Sequence, residues 1–203
     1  MKAFLITGCG RSGTGFYSRM LRDNGIECGH ESFVDFSGCR LHSNKSESSW
    51  MAVPLLDSIP DKYYIIRTIR EPLLVIKSFV DLEVLSDKHV NSPYRRYIKN
   101  NLSSWVQDGE DIEKQILNAA NYYIEWNHMF DIKSKKIEST TIRFEDIIKE
   151  DFYIIGGEKF KVPKTVINDK KSKKIKNVKI EKIIEILGQE KCQQLKGYYS
   201  KFG

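Results

Sequence analysis

An α/β fold, a three-layer sandwich with a central parallel sheet flanked by helices, is what this sequence predicts, on three observations. Short runs of β-branched and aromatic residues alternate with longer stretches of helical spacing. A glycine-rich turn, Gly8-Cys9-Gly10-Arg11-Ser12-Gly13-Thr14-Gly15, joins the first such run to the first helical stretch. The chain has 203 residues, the size of one such domain with a core of its own.

The elements follow in order. Ala3 to Ile6 is an apolar run that reads as a buried strand near 2–7. Phe16, Met20 and Leu21 carry helical spacing over 13–24, and Asn24-Gly25 stops it. A second strand is expected near 26–29, ending in Cys28-Gly29-His30-Glu31. Residues 32–50, with His42, Ser48, Ser49 and Trp50, lack strong periodicity and read as one wall of an acceptor site, Trp50 being better suited to the core. Lys62 to Thr68 is a central strand, and Pro72 opens a helix over 72–85 through Leu73, Val75, Ile76 and Phe79. Segment 86–107, with Pro93-Tyr94-Arg95-Arg96 and Trp105, reads as a helical lid. A helix near 110–131, a strand near 138–142, a hairpin over 152–162 around Gly156-Gly157 and a helix near 178–187 complete the chain. Residues 1–203 are read as one domain with a basic segment at about 164–177.

The turn after the first strand carries chemistry. A glycine-rich loop between a strand and a helix N-terminus turns backbone N–H groups and the positive end of the helix dipole toward an anion. Gly8 and Gly13 have the spacing of a Walker A loop, but Thr14 stands where its lysine would be and Gly15 where its magnesium-binding hydroxyl would be. The cation has moved to Arg11. A loop so built is poorly equipped for nucleotide hydrolysis through a bridging metal and well equipped to grip a terminal anionic group with a guanidinium and amides.

Arg11-Ser12-Gly13-Thr14 resembles the 5′-phosphosulfate loop of the sulfotransferases that use 3′-phosphoadenosine 5′-phosphosulfate, in the arginine form found among carbohydrate-type members, with Gly10 in place of the usual proline. Arg70, at the end of the 62–68 strand, and Ser78, eight residues on, resemble that family's 3′-phosphate pair. Looser likenesses extend along the chain. Thr141-Ile142-Arg143-Phe144-Glu145-Asp146 is similar to a strand-end segment whose aromatic lies near the adenine. Trp126-Asn127 and Leu195-Lys196-Gly197-Tyr198 resemble helical segments of bacterial and phage-type members, where Trp126 and Tyr198 suit the core.

The resemblance implies a P-loop NTPase-like fold and a sulfotransferase moving a sulfuryl group to a hydroxyl of a saccharide or other small polar acceptor, without metal. It implies that Gly10, Arg11, Ser12, Gly13, Thr14 and Gly15 cradle the phosphosulfate, that Arg70 and Ser78 hold the 3′-phosphate, and that Phe144 lies near the base. It also implies that a basic C-terminal segment, with Asn168, Lys170 and Lys171 as candidates, folds over the nucleotide. For the catalytic base two residues stand at the end of the second strand. Glu31 matches the family's glutamate, twenty residues after the loop cation, and His30 is the competing imidazole. Strand alternation turns neighbouring side chains to opposite faces, so only one of the two is expected to face the acceptor. A divergent phosphate-loop kinase or NTPase and a non-catalytic nucleotide-binding protein are the alternatives.

Bulk properties narrow the class. Lys and Arg number 33 against 27 Asp and Glu, a net charge of +6 gathered largely between Lys159 and Lys182, with no interleaved aromatics to mark a nucleic-acid surface. No apolar run approaches the roughly twenty residues that span a bilayer, and the first strand leaves no room for a leader, so a cytoplasmic protein is expected. Four cysteines (Cys9, Cys28, Cys39, Cys192) show neither metal-ligand spacing nor a disulfide framework.

Overall fold

A computed structural model describes residues 3–41, 45–106, 111–164 and 177–202. The fold is α/β, built on a five-stranded, all-parallel sheet. The chain runs β1 (Ala3–Gly8), α1 (Thr14–Asp23), β2 (Cys28–His30), β3 (Val34–Asp35), β4 (Gly38–Cys39) and β5 (Ser46–Ser48). A 3₁₀ helix (Trp50–Ser58) leads to β6 (Tyr63–Ile69), α2 (Pro72–Asp81), α3 (Pro93–Asn101) and α4 (Ile112–Lys133). Then come β7 (Ser139–Arg143), α5 (Phe144–Ile147), the hairpin β8 (Phe152–Ile155) and β9 (Glu158–Lys161), and α6 (Ile180–Ser200). These elements form two compact units, one of Met1–Arg70 with Met129–Asn168, the other of Glu71–His128 with Asp169–Gly203.

The first unit holds the whole sheet, in the order β2-β5-β1-β6-β7. β1 lies at its centre and is buried at all six positions, as a strand covered on both faces must be. It pairs with β6 over its full length, from Ala3 opposite Tyr63 to Gly8 opposite Thr68. α1 packs on β1, β2 and β5, sending Phe16, Tyr17, Met20 and Leu21 into a core shared with Phe4, Ile6, Ile66, Ile142, Phe144 and Phe160. Asn24 ends α1 and locks it to the hairpin: its side-chain amide exchanges two hydrogen bonds, at 2.9 and 2.8 Å, with the backbone of Lys161. Because successive strands lie first on one side of β1 and then on the other, the sheet has its switch point at the carboxyl end of β1, where ligands of open parallel sheets bind.

The expected strands and hairpin and most of the expected helices fall within a few residues of expectation, while β3, β4, the 3₁₀ helix and α5 were not expected. α6 continues past its expected end: Gly188 breaks it with φ 72 and the helix then resumes to Ser200. Residues 93–101, within the segment expected to be helical, are a helix with Pro93 in its first turn. β5 was not expected at all. Its three residues, Ser46, Glu47 and Ser48, are fully polar yet at most 2 % exposed, each satisfied by specific partners. Ser46 Oγ accepts from the Phe4 amide at 3.0 Å, and Ser48 Oγ donates to the Thr14 carbonyl at 2.7 Å.

The second unit is helical. α2 begins on Pro72 with Glu71 as its cap, the carboxylate accepting from the Leu74 amide at 2.7 Å, and packs against α6. Lys77 bridges Asp81 (2.8 Å) and the Val178 carbonyl (2.6 Å), while the Val178 amide donates to Asp81. Trp126 is wholly buried against Tyr97 and Tyr122, as a core role requires, whereas Tyr198 is half-buried beside Phe202. Trp105 lies under the Arg95 and Lys99 cations.

Glu125 on α4 organises the stretch before it, accepting from the amides and hydroxyls of both Ser103 and Ser104. Burial raises its pKa, but these donors outweigh it and hold the carboxyl below its ordinary value. A carboxyl depressed in the folded state contributes stability above its unfolded pKa and loses it as pH falls through the folded one. Glu125→Gln is therefore expected to be less stable than wild type by about 1–2 kcal/mol at pH 7, the scale of a charged hydrogen bond discounted for solvent screening. The gap should begin to narrow as pH falls below about 4.3, the ordinary glutamate value, and close only as pH passes through the lower folded-state value. Urea unfolding at pH 7 and at a series of pH values below about 4.3 checks both the gap and its narrowing.

Candidate anion-binding site

Gly8 ends β1 against the neighbouring strand. A Cβ built there would lie 2.1 Å from the Thr68 carbonyl oxygen, so β1 and β6 close here only around a glycine. The chain then turns through Arg11 (φ 68) and Gly13 (φ 98), both in the left-handed region, and enters α1. A Cβ on Gly13 would lie 2.4 Å from the ring of Phe144, which fills the space beneath the loop. Gly13 is thus required twice, by conformation and by space.

Three carbonyls of the loop are held by side chains. Arg70 Nη1 donates to the Arg11 carbonyl at 3.0 Å, Thr68 Oγ1 to that of Ser12 at 2.7 Å, and Ser48 Oγ to that of Thr14 at 2.7 Å. Across a planar trans peptide the N–H opposes the C=O. The amides of Gly13 and Gly15 therefore point away from Thr68 and Ser48, at the N-terminus of α1. That is the arrangement of an anion cradle. The Ser12 hydroxyl, fully buried in the same loop, has no hydrogen-bond partner among the described residues. A donor kept dry and unsatisfied beside such a cradle fits a phosphate-like oxygen.

Two guanidiniums meet here. Arg70 lies over the Phe144 ring at 5.3 Å, with Glu145 at 3.8 Å from its Nε. Loss of hydration, then the Arg70 cation, lower the Arg11 pKa, while Glu31 opposes them. The side chain of Arg11 is nevertheless exposed at the loop's surface. Phe144 is 4 % exposed and packs on Phe16 at 5.4 Å as well as on Gly13, so it supports the loop from the core rather than presenting a surface for stacking.

His30 is the last residue of β2, and Glu31 follows it with φ 56. The left-handed turn overrides strand alternation. Instead of facing apart, His30 Nε2 and Glu31 Oε1 stand 3.7 Å from each other, and the same Nε2 is 3.4 Å from the Thr14 hydroxyl. β2 ends before Glu31, so pleating does not govern it and the two side chains lie side by side. Arg11 and Glu31 are two of the three non-glycine residues with positive φ among those described, a clustering of strain typical of functional sites.

The first unit thus brings together Gly10 to Gly15, Arg11, His30, Glu31, Arg70 and Phe144. Ser78 sits half-buried on α2 in the second unit. Lys170 and Lys171, with Asn168 and His42, lie outside the described residues. Trp50 is core, 7 % exposed, rather than part of a cleft wall. The sequence pointed to Ser48 only as part of an acceptor wall, not as a tether of the loop, and gave no sign of Glu47 or Glu145 as site residues. Ser48 and Glu47 sit in a polar run without strand periodicity, while Glu145 was visible within the Arg143–Asp146 segment. Among the described residues no helix is long and apolar enough to cross a membrane. The sequence matches no family model and no curated protein.

The two loop glycines are expected to respond oppositely to alanine. Gly13→Ala should destabilise by about 2–5 kcal/mol, the sum of left-handed strain and overpacking against Phe144. A Cβ on Gly15 meets only His30, at 3.5 Å, an ordinary contact in the first turn of a helix. Gly15→Ala should be neutral or stabilising by up to about 1 kcal/mol. Denaturant midpoints of the two variants check the contrast.

Proposed function

We propose that this protein is a sulfotransferase that moves a sulfuryl group from 3′-phosphoadenosine 5′-phosphosulfate to a hydroxyl of a saccharide or other small polar acceptor, without a metal. The observation that carries the reading is the loop of residues 8–15. Three of its carbonyls are tied by side chains, the amides of Gly13 and Gly15 point the other way at a helix N-terminus, and Arg11 and Arg70 supply cations to a loop that lacks the Walker A lysine and magnesium ligand. Two cations at one loop repel each other and are favoured around a multiply charged anion. The resemblance at Arg11-Ser12-Gly13-Thr14 and at Arg70 with Ser78 supports the same donor.

Bound there, the co-substrate supplies the sulfuryl group, and the residues supply the rest. Gly10 to Gly15 orient the 5′-phosphosulfate, and Arg11 neutralises charge on the transferred group. Arg70 and Ser78 hold the 3′-phosphate. Glu31 or His30 takes the proton of the acceptor hydroxyl as its oxygen forms the new S–O bond. The bond from sulfur to the phosphate oxygen breaks in the same in-line step, leaving the bisphosphate. The 3.7 Å approach of His30 to Glu31 puts the two candidates for that proton side by side.

Calorimetry with 3′-phosphoadenosine 5′-phosphate in metal-free buffer, beside Mg·ATP, tests the reading. Binding of the bisphosphate is expected, weakened in Arg70→Ala by about 1.5–3 kcal/mol, the scale of a charged hydrogen bond. Equal affinity of that variant and wild type would remove Arg70 from the site. Binding of Mg·ATP but not of the bisphosphate would assign the loop to a kinase or NTPase instead.

A further inference from the structure

The corner formed by His30 and Glu31 is held in place by a residue of the sheet interior. Glu47, in the middle of β5, is fully buried. One carboxylate oxygen accepts from the Ser32 amide and the other from the Phe33 amide, both at 3.2 Å. The Glu31 amide is bonded in turn to the Ser48 carbonyl at 3.1 Å. Burial raises the Glu47 pKa, while the amides of Ser32, Phe33, Glu31 and Ser48 oppose that rise by favouring the charged form. The carboxylate is thus enclosed by backbone donors from the turn that follows β2. Gly29 completes the enclosure, since a Cβ there would lie 2.3 Å from the Glu47 carboxylate.

A buried carboxylate is an expensive way to close a turn. An apolar residue there would leave the Ser32 and Phe33 amides without these acceptors. What the carboxylate supplies is directional: two acceptors at fixed spacing, which hold residues 31–33 in a tight turn and keep Glu31 at its left-handed φ of 56. That conformation brings Glu31 back beside His30, and the imidazole against Thr14 and Gly15 of the loop.

We infer that Glu47 is the positioning residue of the site, fixing the His30–Glu31 corner against the anion loop through the amides of Ser32 and Phe33. Glu47 touches neither the loop nor any reacting atom in this role, and acts through the turn. The role as a positioner of proton-transfer groups rests on the sulfotransferase reading; the geometry of the corner does not.

The experiment compares wild type with Glu47→Gln, Gly29→Ala and Ser46→Ala. Glu47→Gln keeps the volume but turns an NH2 group toward one of the two amides. Gly29→Ala keeps the carboxylate group but pushes it from the other side. Ser46→Ala is the control for a β5 defect as such, since among the described residues its hydroxyl serves only the Phe4 amide. Three quantities are measured: the NOE between the His30 ring and Gly15, hydrogen exchange at the Ser32 and Phe33 amides, and release of sulfate from the phosphosulfate donor with water as acceptor.

Both corner variants are expected to lose the NOE and to exchange at least tenfold faster at the two amides. Their hydrolysis should fall at least tenfold, with bisphosphate affinity within threefold of wild type. Ser46→Ala should lower stability and leave the NOE and hydrolysis within twofold. A retained NOE with hydrolysis within twofold in both corner variants would overturn the assignment, as would the same losses in Ser46→Ala. Should wild type bind no bisphosphate, the donor reading falls, while the NOE and exchange still decide whether Glu47 holds the corner.

Discussion

The tethering of loop carbonyls by side chains is the constraint on which the open end of the sheet depends. A peptide plane has two ends, and fixing one fixes the other. Thr68 from β6 and Ser48 from β5 each hold a carbonyl of the turn after β1, so the two strands flanking β1 both govern where its amides point. Arg70 adds a third tether at Arg11, and Phe144 fills the volume that a side chain on Gly13 would take. The cradle is therefore a property of three parallel strands in register and not of the glycine-rich sequence alone. A glycine-rich turn without these tethers samples many conformations, and the entropy of ordering it would fall on the ligand.

The same dependence reaches the candidate proton-transfer groups. Ser48 holds the loop on one side through its hydroxyl and the Glu31 amide on the other through its carbonyl, with Glu47 beside it closing the turn. One short strand thus ties the anion loop and the His30–Glu31 corner to a common frame. Precise placement of reacting groups needs such support from residues that never meet the substrate.

How much of this was legible in the sequence follows from which signals are local. β1 and β6 announced themselves through runs of apolar and β-branched residues, and the loop through glycines at a strand-to-helix junction. The cation at Arg11 and the arginine closing β6 were readable by position. β5 was not, because Ser-Glu-Ser carries no hydrophobic period: its burial is justified by partners 34 and 42 positions away, at Thr14 and Phe4. The His30–Glu31 corner was read by pleating, a rule that holds only inside a strand, and the left-handed turn at Glu31 is set by acceptors on β5 rather than by its own residue type. Phe144 was noticed as an aromatic at a strand end, but its place beneath Gly13 depends on the packing of β7 beside β6.

The polar strand has a consequence for where stability resides. Apolar burial is indifferent to direction, and β1, β6 and α1 are held together on that basis. β5 draws nothing from it: its hydroxyls and carboxylate are satisfied only while Phe4, Thr14 and the turn after β2 stand at hydrogen-bonding distance. The loop after β1 and the corner after β2 therefore share one support that the apolar core does not supply, and a change that loosens β5 reaches both while the core stays packed.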